Sequence, residues 1–351
     1  MNVIHEAAGR PYRLMLHLGG LVALAGLQPL ASGLLRLSGL YGAHWPPRVF
    51  HALEVGQLLA ATALFFWLAS CVIGRTTLDR VSPRRRLLER GAAVAVGALA
   101  IYTAMPAAAL PRAGVAIFGI AVAWLALEVC RTHGLPLERP SAPTGHAETW
   151  SIAQYAFLAC AVGGATTALL RAALGWSGVP VMEGQQLAAT GITNPLDLVL
   201  TVVWAAGIED VVMVAAVTTL LTAARCPTWQ IYTTVCVLEV GVHAYFGIPA
   251  IGMVIYAAGR VWLYRRYNRL LPMVAAHVTA DLLAGANQTL PLGYRIVVGV
   301  LVVAAAHLYE RWAQRSATAG SPPPAPTRQQ PQACPDPPPP AATQSSTSEH
   351  R

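Results

Sequence analysis

Between residues 200 and 285 the chain carries acidic and imidazole side chains in a pattern suited to activating water. Glu209 and Asp210 are adjacent in the run Val202-Val203-Trp204-Ala205-Ala206-Gly207-Ile208-Glu209-Asp210-Val211. Glu239 and His243 are four residues apart, as are His277 and Asp281. On a helix, residues four apart share a face. Adjacent residues point about 100° apart, so one patch of protein need not hold both Glu209 and Asp210. A carboxylate in such surroundings takes a proton from water, and an imidazole shares that proton or holds the water in line. A second histidine with a hydrogen-bonding neighbour stabilises an oxyanion at an amide carbonyl. His243, His277 and Glu209 are equally an acceptable zinc set with an open fourth position. Spacing alone leaves the metal and the metal-free routes both open.

The elements that must position these groups are transmembrane helices. Of 351 residues, 55% are hydrophobic and 11% charged, and the mean hydropathy is +0.50. Soluble domains carry about 25% charged residues. This composition excludes the soluble enzyme classes, disulfide-rich secreted scaffolds, fibres and nucleic-acid modules. At roughly 20 apolar residues per span, ten spans are predicted: 14–37, 52–74, 91–110, 113–130, 151–174, 197–224, 230–247, 249–264, 270–288 and 292–309. The seventh to ninth are short and polar, so eight or nine spans fit nearly as well. The expected fold is an all-α polytopic transmembrane helix bundle. It divides into an N-terminal segment (1–13), helices of unassigned role (14–195), core helices with the polar groups (196–290), a last helix (291–315) and a Pro-rich tail (316–351). The first apolar segment is too long for a signal-peptide core and reads as a retained anchor.

The formal charge of +8 comes entirely from arginine as the basic residue. These arginines punctuate apolar stretches, which marks cytoplasmic loops rather than a nucleic-acid partner. The densest group is Arg75, Arg80, Arg84, Arg85, Arg86 and Arg90, expected in a loop at 75–90. Placing it in the cytoplasm puts Arg131, Arg139, Arg225, Arg265, Arg266, Arg269, Arg311 and Arg315 on the same side, with both termini cytoplasmic at the cell membrane. The tail holds ten of the 26 prolines among Ser, Thr, Gln and Ala. It is expected to be disordered with polyproline II character. The six cysteines form no C-x-x-C pair and read as small buried hydrophobes. Glu54, His51, Glu128, Arg171, His307, His17 and Arg295 fall near predicted helix ends, where snorkelling to the interface suffices.

Ionisable residues within spans cost about 2.5–3.5 kcal/mol each at the helix centre and face a cavity or a partner. The polar groups of 200–285 are the concentrated exception in this chain. Taken together, Glu209-Asp210-x-x-x-Val214, Glu239-x-x-x-His243 and His277-x-x-x-Asp281 resemble the three motifs of the CAAX-protease and bacteriocin-processing family of intramembrane proteases (CPBP, or Abi). That family shows Glu-Glu-x-x-x-Arg, an aromatic-x-x-x-His, and His-x-x-x-Asn or His-x-x-x-Asp on successive core helices. The run Gly259-Arg260-Val261-Trp262-Leu263-Tyr264-Arg265-Arg266, then Leu271-Pro272, is also similar to the family's approach to its third motif. The resemblance covers roughly residues 197–288.

The resemblance implies an endopeptidase acting on a membrane-anchored protein or peptide at the lipid bilayer, with or without Zn2+. By it, Glu209 activates water with His243, His277 and Asp281 stabilise the oxyanion, and Asp210 fills the second acidic position. Two departures stand out. Val214 replaces the motif arginine, and Arg260 of the eighth span is the candidate to substitute for it. Glu239 replaces the aromatic residue. Asp281 donates to an oxyanion only when protonated and otherwise orients His277. Two other readings stand beside the protease: a non-catalytic relative serving as a binding or immunity scaffold, and a proton-coupled transporter. A transporter predicts broken helices in matching halves of the chain, and the sequence shows no such repeat.

Overall fold

The computed structural model describes residues 2–73, 83–103, 111–138, 146–182, 186–189, 192 and 194–286. Within them the chain is helical and contains no strand. The helices are α1 (Asn2–Leu40), α2 (Pro47–Ile73), α3 (Pro83–Thr103), α4 (Pro111–Thr132), α5 (His146–Trp176), the single turn α6 (Gln186–Ala189), α7 (Pro195–Ala205), α8 (Val217–Ala223), α9 (Thr228–Val242), α10 (Met253–Tyr267) and α11 (Leu271–Ala286). A π-helix, Ala206–Ala216, joins α7 to α8, and 3-10 turns at Ala244–Phe246 and Ile248–Gly252 join α9 to α10. The expected final span at 292–309 and the Pro-rich tail lie outside the described residues.

Five stretches are long and apolar enough to cross a membrane: Tyr12–Leu40, Pro47–Val72, Arg112–Thr132, Glu148–Trp176 and Pro195–Ala223. They coincide with the first, second, fourth, fifth and sixth predicted spans. Large apolar side chains such as Leu34, Leu59, Leu169 and Val237 are exposed, while Asp210, Glu239 and Arg260 are fully buried. This inside-out distribution is that of a membrane protein, in which lipid meets the apolar surface and polar groups turn inward.

Two predicted segments differ. The arginine-rich loop at 75–90 is helical from Pro83, because a proline at the first helical position is preorganised for it. The seventh span, expected to run to residue 247, ends at Val242. Gly247 stands at φ 81° and ψ −153°, a conformation essentially confined to glycine. Pro249 follows without an N–H to continue a ladder. At 1.5 Å per residue, the 15 residues of α9 rise about 22 Å, and α10 has the same length.

Local sequence accounts for the entry of the site-bearing helix. The Asn194 side chain caps α7, its Oδ1 accepting from the Asp197 N–H at 2.9 Å while its Nδ2 donates to the Asp197 carboxylate at 3.0 Å. Pro195 takes the first helical position. At the opposite end of the bundle several elements converge. His17 of α1 meets His133 after α4 at 3.1 Å, Tyr264 of α10 donates to the Leu137 carbonyl at 2.9 Å, and Arg269 lies 3.5 Å from Glu138. His17, read as an interfacial residue, is in fact buried against His133 and Trp67. Arg13, Arg131, Arg265, Arg266 and Arg269 therefore gather at one end of the molecule.

Close helix contacts then fix α10 on α5. A Cβ placed on Gly163 would lie 2.6 Å from the Tyr256 Cβ, and one on Gly252 would meet the Thr167 backbone N at 2.8 Å. Small residues at both faces let the backbones approach, as membrane helices do. This contact sets the depth of Tyr256.

Candidate functional site

Glu209 and Asp210 lie in the π-helical stretch, whose i→i+5 bonding gives a wider turn than an α-helix. The wider turn rotates successive residues by less than the α-helical step. Both carboxylates consequently reach one imidazole, against the expectation that a single patch need not hold them. The Asp210 Oδ2 is 2.8 Å from the His277 Nδ1, and the Glu209 Oε2 is 3.7 Å from its Nε2. Asp281, one turn on from His277 in α11, brings its Oδ2 to 3.3 Å from the same Nε2. Acceptors thus stand at both ring nitrogens. The form in which both nitrogens donate is the imidazolium.

Arg260 completes the cluster from α10. Its guanidinium forms a buried ion pair with Asp210 and donates to the Tyr256 hydroxyl. It also lies 4.5 Å from the centre of the Tyr256 ring. Val214, one turn on from Asp210, is wholly buried in the apolar core.

Tyr256 escaped the sequence reading and stands at the centre of the site. Its hydroxyl donates to the Glu209 Oε2 at 2.8 Å and lies 3.1 Å from the His277 Nε2. A signal existed in the sequence: Tyr256 and Arg260 are four apart, so these two polar groups share one face of α10.

Exposure runs from the mouth inward. The Asp281 side chain is 41% exposed, His277 4% and Asp210 0%. Asp281 stands at the exposed edge of the cluster, against the His277 ring.

His243 is not among the hydrogen-bond partners of Glu209. Its Nδ1 is 2.9 Å from the Glu239 carbonyl oxygen and 3.9 Å from the Glu239 carboxylate, and its ring stacks on Phe246 at 6.1 Å. It lies within electrostatic range of Asp281, on the mouth side of the cluster. The sequence expectation that His243 works directly with Glu209 is thus replaced by a His277–Tyr256–Glu209 contact.

The zinc set of His243, His277 and Glu209 does not converge. Among the described residues no group of three or more His, Cys, Asp and Glu lies in metal-binding geometry. Both nitrogens of His277 are turned toward carboxylates, and a guanidinium already neutralises Asp210. As arranged, these side chains suit proton transfer.

In comparisons with known proteins, no family model matches the chain, and no curated protein or solved structure matches it.

Proposed function

We propose that the chain is an intramembrane endopeptidase of the CPBP type, hydrolysing a peptide bond of a membrane-anchored protein or peptide. The observation that supports this reading is the buried triad Glu209–Tyr256–His277, with Asp210 and Arg260 beneath it. Glu209 is the general base. A water admitted from the Asp281 side gives it a proton while its oxygen attacks the amide carbonyl. The Tyr256 O–H, which rests on Glu209 in the free protein, turns to the developing oxyanion together with the His277 Nε2–H. The C–N bond then breaks, and Glu209 passes its proton to the departing amine. Asp210 and Asp281 hold the imidazole, and Arg260 keeps the phenol hydrogen directed away from itself, since a guanidinium only donates.

Topology follows from the arginine-bearing end of the bundle. In this reading it faces the cytoplasm, with both termini there, and the open side of the site near Asp281 and His243 lies toward the other face.

The test is cleavage of a mixed library of membrane-anchored peptides by detergent-purified protein, with Glu209→Gln, His243→Ala, His277→Ala and Tyr256→Phe alongside, and with zinc content measured. Cleavage lost in Glu209→Gln and His277→Ala but unaffected by chelators supports the metal-free hydrolase. Stoichiometric zinc lost in the histidine variants shifts the reading to a metalloprotease. A folded wild type that cuts nothing and holds no metal turns it to a binding scaffold.

A further inference from the structure

One carboxylate near the site has no place in this mechanism. Glu239 of α9 is 0% exposed, so no water molecule touches it, and neither carboxylate oxygen has a hydrogen-bond partner. Glu209, from the π-helix, lies in electrostatic range with the same charge, and the other groups facing it are Cys236 and His243 of its own helix, Tyr256 of α10 and His277 of α11. α1 contributes Leu30 and Gly33 to this turn, and its Arg36 lies in range of Tyr245. Glu209, Asp210 and Asp281 face the guanidinium of Arg260, and Glu239 is not among its partners. Asp210 is the one paired with it.

An unpartnered buried carboxylate costs many kcal/mol as an anion and far less as a neutral acid. The surrounding side chains seal Glu239 from solvent, and no basic group pairs with it. A proton is the one cation that needs no cavity. We propose that Glu239 is a buried proton-binding site, exchanging its proton with the mouth of the cluster through His243. The geometry for exchange is in place. The His243 Nδ1 is 3.9 Å from the Glu239 Oε2, and the imidazole is 12% exposed at its outer edge. In the exchange step a small rotation brings the two into contact. The Nδ1–H rests on the Glu239 carbonyl oxygen at 2.9 Å, so loading begins at the other nitrogen: Nε2 takes a proton from water at the mouth and the ring becomes an imidazolium. The Nδ1–H then turns to the carboxylate, the N–H bond breaks and an O–H bond forms on Glu239, leaving a neutral acid and a neutral imidazole; release is the reverse. This inference does not depend on the protease reading. It equally defines how the cluster holds its excess of acid.

The experiment is infrared spectroscopy of the full-length protein in lipid nanodiscs at neutral pH, with and without 13C-glutamate labelling. The expected result is a carbonyl stretch of a protonated carboxylic acid that shifts with the glutamate label, disappears in Glu239→Gln and persists in Glu209→Gln. In His243→Ala the band should persist but exchange more slowly into D2O. Wild-type protein without a label-sensitive carboxylic-acid band overturns the proposal, and needs no variant to do so. A band that survives in folded Glu239→Gln also overturns it. Deuterium exchange unchanged by His243→Ala overturns the His243 route. If the band behaves as expected while peptides remain uncut, the protease reading fails and this one stands. If peptides are cut and the band is absent, the outcome is the reverse.

Discussion

Arg260 and Asp210 show what a single buried contact does in this protein. Both are sealed from solvent and they pair with each other. Removing one partner leaves an uncompensated charge, at a cost of about 3–5 kcal/mol, whereas an apolar replacement of both is near neutral. Arg260→Leu is therefore expected to destabilise strongly and Asp210→Leu/Arg260→Leu to recover most of the loss, read as a double-variant cycle of unfolding in micelles. Tyr256→Phe keeps the ring and removes only the hydroxyl. Losing one oxyanion donor costs about 10²–10³ in kcat, and turnover of a cleaved peptide should fall by that factor without a matching change in unfolding midpoint.

At the scale of elements, the unusual backbone is concentrated around the acidic and imidazole groups. The π-helix carries Glu209 and Asp210, and the 3-10 turns follow directly on His243. Irregular backbone at membrane depth is tolerated where protein covers it. Here Met182 covers the second break, its N–H lying 3.4 Å from the Phe246 carbonyl. Among the described residues the breaks fall in consecutive elements. Gly247→Ala should cost about 1–3 kcal/mol, since its backbone conformation is essentially glycine-only. Gly163→Leu should do more than destabilise. The added side chain meets the Tyr256 Cβ and backbone, so α10 must shift on α5. Overpacking costs of about 1–3 kcal/mol should come with lost cleavage, whereas Gly164→Leu, which meets open space, should leave both unchanged. Parallel turnover and melting measurements on the two variants check this.

For the whole molecule, the testable consequence is topology. Asn268 lies in the turn between α10 and α11, at the arginine-bearing end, and His44 lies between α1 and α2 at the other. In a cysteine-free background, His44→Cys should react with a membrane-impermeant reagent in intact cells and Asn268→Cys only after lysis. The reverse pattern would invert the proposed orientation, and labelling of both in intact cells would break the bundle topology itself.

How much of this was legible along the chain depended on the range of the interactions involved. Composition and apolar runs determined the membrane helix bundle, because lipid demands long stretches that satisfy their own backbone hydrogen bonds. The five longest spans follow directly from that demand. Polar residues in apolar helices likewise singled out Glu209, Asp210, Glu239, His243, His277 and Asp281, since burial in lipid makes each of them costly alone. Four-residue spacing placed His277 and Asp281 on one face, as they are found. The shorter helices α9 and α10 were harder to delimit, because a glycine–proline turn ends one before its apolar pattern does. What only the tertiary structure decided was the pairing across helices. One imidazole takes both acidic residues because a π-turn aims them together. Arg260 answers Asp210, and Tyr256 enters the centre on the close contact between α5 and α10. Each of these depends on helix–helix distances and on a change of helical type. Neither is encoded in local spacing, because both arise from how closely distant segments can approach.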